Sequence, residues 1–102
     1  MPETPEQLMR SRYTAYAIGE VEYLQKTLWP ARQKKLDMNE ISNWVEQTTW
    51  VGLQIHETTE EALKGTVHFT ARYLLNGSLE AQNENSLFKK KAGRWYYVKP
   101  VE

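Results

Sequence analysis

Thr4-Pro5-Glu6-Gln7-Leu8-Met9-Arg10-Ser11-Arg12-Tyr13-Thr14-Ala15-Tyr16-Ala17 reads as a capped amphipathic helix with two arginines beside its apolar face. The Thr4 hydroxyl can accept the backbone N–H of Gln7, and the Gln7 side chain can reach back toward the chain end. Pro5 suits the first helical position, because the N–H it lacks would be unpaired there in any case. At roughly 100° per residue, Leu8, Met9, Tyr13 and Tyr16 fall on one arc, with Arg12 inside it and Arg10 at its far edge. A guanidinium inside an apolar arc requires a polar partner from elsewhere in the chain. The rest of the sequence indicates what this helix packs against.

Gly19 supplies a left-handed end to the first helix, and Val21, Leu24 and Leu28 then repeat at helical spacing. That second helix is expected to end at Leu28-Trp29-Pro30, since a residue before proline is pushed out of the α region. Residues 31–36 read as a polar connection. Asp37 with Glu40 repeats the capping pattern ahead of Ile41, Trp44, Val45 and Thr48, a third helix. From Trp50 the period changes to alternation, with Val51, Leu53 and Ile55 on one face and Trp50, Gln54 and His56 on the other. Residues 58–61 read as a turn region. Val67, Phe69, Ala71 and Tyr73 then alternate against Thr66, His68, Thr70 and Arg72. Asn76-Gly77 and Ala92-Gly93 are turn dipeptides, bounding a third strand from about Gln82 to Lys90 and opening a fourth over Arg94–Val98. Three helices followed by four strands on short connections describe an α+β domain, with helices against one face of an antiparallel sheet that curls around them.

Composition narrows the classes of function. A chain of 102 residues holds one core, and its formal net charge of zero gives no long-range field for nucleic acid or anionic membrane. Nucleic acid is therefore an unfavoured partner. The absence of cysteine removes disulfides, thiolate nucleophiles and thiolate zinc sites. No segment approaches the ~20 apolar residues of a membrane span, and Met-Pro-Glu-Thr-Pro lacks the basic and apolar regions of a leader, so the expected setting is cytoplasmic. Neither a glycine-rich phosphate loop nor a Ser/His/Asp order occurs, and no cofactor or metal is implied.

Met9-Arg10-Ser11-Arg12-Tyr13, Ala15-Tyr16, Trp29-Pro30, Trp44, Trp50-Val51-Gly52-Leu53, Gly65-Thr66-Val67-His68-Phe69 and Gly93-Arg94-Trp95-Tyr96-Tyr97 together resemble the central domain of the bacterial YchJ proteins. The resemblance covers nearly the whole chain. It implies an NTF2-like fold: a cone-shaped half-barrel of three N-terminal helices on a curved four-stranded sheet, with a pocket at the open end. Many members of that family flank the domain with cysteine-rich zinc-binding segments of the SEC-C type, which this cysteine-free chain does not contain. The resemblance carries no established activity, and fold alone does not choose one.

The residues expected to line the pocket are Arg12, Tyr13, Tyr16, Trp44, Glu84, Ser86, Phe88, Trp95 and Tyr97. An inward Glu84 calls for a partner, and Arg12 is the natural one, as a buried ion pair orienting helix against sheet. Three classes of function remain. The first is a module binding a small apolar ligand or a partner protein through the pocket or the outer sheet face. The second is an isomerase or dehydratase with Glu84 as base and Tyr13, Tyr16 or Tyr97 as donors. The third is a nucleic-acid accessory domain using the Lys89–Lys91 hairpin beside Trp95 and Tyr97. With a turn near Ala62, His56 and His68 fall opposite each other, Ile55 opposite Phe69 and Leu53 opposite Ala71. Two imidazoles alone make a weak metal site. An outer face of Trp50, Gln54, His56, His68, Thr70 and Arg72 could support a wet homodimer.

Overall fold

The computed structural model describes residues 1–101. Helices α1 (Pro5–Ile18), α2 (Val21–Lys26), α3 (Pro30–Gln33) and α4 (Met38–Gln47) precede strands β1 (Thr48–Glu60), β2 (Lys64–Leu75), β3 (Ser78–Lys91) and β4 (Arg94–Val101). The strands form one antiparallel sheet in the order β1-β2-β3-β4. Two features of the sequence reading are thereby corrected. There are four helices, not three, because Pro30 opens a further single turn in what reads as a polar connection. The sheet is not a curled, cone-shaped half-barrel: it is an open meander in which β1 and β4 remain separate edges.

Local chemistry accounts for the element boundaries. Thr4 caps α1 by accepting the Gln7 N–H, and Gly19 closes it at φ 83° with its N–H on the Ala15 carbonyl. The Gln7 side chain accepts from the Glu3 N–H, not from the Thr4 N–H that a closed capping box would use. Asp37 accepts the N–H groups of Asn39 and Glu40 at the start of α4. Asn76, Gly77, Ala92 and Gly93 all have φ between 51° and 81°, the double left-handed conformation of a tight hairpin. Asn and Gly adopt it readily, whereas at Ala92 it is imposed by the pairing of β3 with β4.

β1 extends through Thr58, Thr59 and Glu60, residues whose polarity suggests a turn, so the reversal falls at residues 61–63. Ile55 pairs with Phe69 and Leu53 with Ala71, as the alternation requires. Two register shifts in β1 change which side chains face the helices. The first, between Trp50 and Gly52, leaves Val51 about half exposed and packs Trp50 against the core beside Leu53 and Ile55. Trp50 therefore does not belong to the outer face. The second, between Ile55 and Glu57, sets His68 opposite Glu57 and not opposite His56.

The core joins Leu8 and Met9 of α1 to Val67, Phe69 and Ala71 of β2, Phe88 of β3 and Trp95 of β4. The segment after α2 lies along the β4 edge: Trp29 N–H donates to the Tyr97 carbonyl and Tyr97 N–H to the Thr27 carbonyl, each at 2.8 Å. This bridge covers part of an edge that would otherwise expose unpaired backbone, and it brings the end of α2 close to Arg12.

Candidate functional site

A cavity of about 250 Å³ lies between the helices and the sheet. Met9, Arg12, Tyr13 and Tyr16 reach it from α1, Trp44 from α4, Trp50 from β1, Phe69 and Ala71 from β2, Gln82, Glu84 and Ser86 from β3, and Tyr97 from β4. Seven of the nine residues expected there are on this wall. Phe88 and Trp95 are not: both are packed into the core, and the Trp95 indole N–H donates to the Glu3 carbonyl at 3.1 Å.

The apolar wall is a set of aromatic contacts. The Trp50 ring lies 5.8 Å from Tyr13, 5.6 Å from Tyr16 and 4.9 Å from Tyr73, and Tyr73 in turn meets Trp44 at 5.4 Å. Such edge and tilted contacts fix ring positions as well as burying area. Trp50 is the part of the site that alternation alone misplaces. Its signal is Gly52, since a glycine inside a strand often marks a bulge. The Trp50 indole N–H is buried without a hydrogen-bond partner.

The polar wall differs from the expected ion pair. Arg12 is 7% exposed, but its partners are neutral: Nη1 donates to the Leu24 carbonyl at 2.9 Å and to Thr27 Oγ1 at 2.7 Å. Its guanidinium carbon stands 4.8 Å from the centre of the Tyr97 ring, a cation–π contact. Among the described residues the ion pairs are Arg10 with Glu6 and Lys64 with Glu61, both on the surface. Glu84 instead collects neutral donors: Gln82 Nε2 at 2.8 Å, the Ser86 hydroxyl, and the Tyr97 hydroxyl at 3.0 Å. Tyr97 thus joins the two charges, its ring beneath the guanidinium and its hydroxyl on the carboxylate.

Burial pushes the Arg12 pKa down from its ordinary value, opposed by the nearby Tyr16, Tyr97 and Tyr23. Tyr97 is shifted strongly upward, first by desolvation and then by the Glu84 carboxylate that its hydroxyl serves. In the unfolded chain the phenol ionises near pH ~10, while the folded form holds its proton beyond that. Above pH ~10 the unfolded state therefore binds fewer protons, and stability falls as pH rises. Tyr97→Phe is expected to flatten this alkaline decline in denaturant melts between pH 9 and 11. At neutral pH it should cost about 1.5–3 kcal/mol for the lost bond to the Glu84 carboxylate.

The outer sheet face carries a different network. His56 Nε2 meets Thr70 Oγ1 at 2.7 Å, Asn83 Nδ2 donates to the same oxygen at 2.9 Å, and His68 Nε2 meets Asn83 Oδ1 at 2.9 Å. The two imidazole rings are 4.8 Å apart despite the register shift, yet each spends one nitrogen on a neighbour. Among the described residues no group of three His, Cys, Asp or Glu side chains could hold a metal ion. In the β3–β4 hairpin, Lys89 and Lys91 lie over the Trp29 ring and Lys90 over the Trp95 ring, each at 5.7 Å. No described helix is long and apolar enough to cross a membrane.

Residues 4–100 match the family model described as the YchJ middle NTF2-like domain. A UPF0225 protein of Actinobacillus succinogenes is 42% identical over 99 residues, which are 95% of this chain and 64% of that protein. The chain thus spans less than two thirds of the length of the curated relatives it matches. Among solved structures, a SEC-C motif containing protein from Rhodopseudomonas palustris superposes with a TM-score of 0.91 at 35% identity, covering 97% of this chain and 78% of that one. Another, from Psychrobacter arcticus, gives 0.85 at 34% identity, covering 97% and 60%. With its Arg-Ser-Arg-Tyr helix and Gly-Arg-Trp-Tyr-Tyr strand in the positions described, this chain belongs to the YchJ family and corresponds to its middle NTF2-like domain.

Proposed function

We propose that this domain is a binding module that takes a small, flat, largely apolar molecule into the cavity between α1, α4 and the sheet. The observation that carries this reading is the wall itself: Tyr13, Tyr16, Trp44, Trp50, Phe69 and Tyr97 surround about 250 Å³, and Arg12, Gln82, Glu84 and Ser86 converge on it. An apolar enclosure with a few convergent polar groups is the usual form of a small-molecule site. At about 250 Å³ the cavity falls just below the usual range of ~300–1,000 Å³ and suits one ring system with short substituents.

Ala71→Leu tests the reading by filling the cavity from the sheet side. The larger side chain is expected to cost about 1–3 kcal/mol in stability while keeping the fold. It should abolish the small-molecule-induced shifts of the Trp44 and Trp50 indole resonances that wild-type protein shows in NMR titrations with a library of monocyclic and bicyclic aromatic compounds. Shifts that persist unchanged in the variant would place binding elsewhere.

One observation favours a second reading, in which the pocket is an isomerase- or dehydratase-type active site with Glu84 as base. Glu84 has no arginine contact, and a tyrosine hydroxyl stands 3.0 Å from it. Against this, Oε2 already accepts from both Ser86 and Tyr97 and Oε1 from Gln82, so the lone pairs a base would use are mostly occupied. Glu84→Gln should abolish turnover of an enolisable substrate if this second reading holds, and leave ligand binding largely intact if the first does.

A further inference from the structure

We infer that the molecule taken by this pocket carries a carboxylate or an equivalent anionic acceptor on its flat body, and that Arg12 receives it. This inference rests on the binding reading above and adds to it the charge of the ligand. Arg12 lines the cavity, is 7% exposed, and is a cation with no anion beside it among the described residues. Of the five N–H donors of a guanidinium, two are spent on Leu24 and Thr27, with the Tyr16 hydroxyl close by. All these neighbours are neutral, and the Tyr97 ring supports the charge without neutralising it. A buried guanidinium held in this way is poised to donate charge-assisted hydrogen bonds to a carboxylate. The Trp50 ring forms part of the same cavity wall, and its indole N–H is a second, independent observation: a buried donor with no acceptor. Such groups are normally paired, so this wall holds donor capacity that the protein itself does not use.

Glu84 raises the opposite possibility, a cationic ligand in an aromatic cage. The hydrogen-bond inventory decides against it. The carboxylate offers about four lone-pair sites, and three are filled by Gln82, Ser86 and Tyr97. One acceptor site remains at Oε1, enough for a hydroxyl or N–H at the other end of an anionic ligand. The unspent capacity in the pocket therefore belongs mainly to donors.

Three matched probes test the charge on the wild-type protein: 4-hydroxyphenylacetate, its neutral amide 4-hydroxyphenylacetamide, and the cation tyramine, each titrated by calorimetry and by NMR at pH 7. The acetate is expected to bind at least tenfold more tightly than either of the others and to shift the Trp50 indole N–H resonance. Ala71→Leu should remove that response. Equal or tighter binding of the amide or of tyramine would overturn the anionic assignment while leaving the pocket reading intact. If none of the three binds, both fail. Arg12→Lys, which keeps the charge but loses the fork, should weaken the acetate selectively and leave the amide nearly unchanged. If the acetate and the amide weaken in parallel, Arg12 is not the receiving group.

Discussion

Arg12→Ala is expected to lower the free energy of unfolding by on the order of 3 kcal/mol, the upper part of the range for single substitutions. The loss has three sources. The buried Leu24 carbonyl loses its short bond from Arg12 and keeps only the long, 3.5 Å contact from the Thr27 hydroxyl, a loss toward the lower part of the about 1–3 kcal/mol of an orphaned polar group. Thr27 Oγ1 loses the 2.7 Å bond it receives but keeps the one it donates to the Tyr23 carbonyl, so its share is smaller. The third source is the void left over the face of Tyr97, where a long side chain was packed. Arg10→Ala, by contrast, removes an exposed pair with Glu6 at 2.9 Å and should cost within about 1 kcal/mol. If urea melts rank the two arginines the other way, the anchoring role of Arg12 is wrong. The double replacement Arg12→Met with Glu84→Leu should depart from the sum of its single losses by no more than roughly 1 kcal/mol, a coupling carried by their shared neighbour Tyr97, because neither change strips the other residue of a direct ionic partner. A recovery larger than that would mean that the two charges pair in solution.

Gly65→Ala should be comparably severe for a steric reason. A Cβ at this position would stand 2.5 Å from the Thr59 carbonyl oxygen and 2.6 Å from Pro5 Cγ. Thr59 belongs to the paired strand and cannot retreat without breaking the β1–β2 ladder. Pro5 is fully buried at the start of α1, so moving it moves the helix that carries Arg12. Overpacking of this kind costs typically about 1–3 kcal/mol, and with backbone on one side the upper end is expected. Gly52→Ala is the control: its Cβ would meet nothing within 4 Å, so thermal melts should show no loss, or a slight gain from the reduced freedom of the unfolded chain. A Gly65→Ala variant as stable as wild type would show that α1 does not sit against β2 in this way.

Signals confined to a few neighbouring residues are the ones the sequence settles by itself. Thr4 with Pro5, Gly19, Asp37, Asn76-Gly77 and Ala92-Gly93 mark where helices begin or end and where strands reverse, because caps and turns are satisfied within three or four residues. The periods of 3.6 and 2 likewise select the faces, placing Arg12 inside and setting Ile55 against Phe69 and Leu53 against Ala71. The two bulges in β1 lie beyond that reach. A single inserted residue reverses the face of its neighbours, which is why Trp50 joins the cavity wall and His68 slips to Glu57. The openness of the sheet is also a tertiary outcome, since strand alternation is the same in an open meander and in a curled half-barrel.

The partner of Arg12 shows the division most clearly. Helical periodicity determines that this guanidinium is buried, and burial determines that it must be satisfied. It does not determine by what, since a carboxylate, a backbone carbonyl, a hydroxyl and an aromatic face all meet the requirement. Only the folding of the residue 24–27 segment against α1 and along the β4 edge brings the Leu24 carbonyl and Thr27 hydroxyl within reach and leaves Glu84 to the neutral donors of β3 and β4. The sequence thus dictates the charge in the pocket wall, and the tertiary structure decides that it stays without a counter-ion, because the nearest acceptors supplied by the fold are neutral.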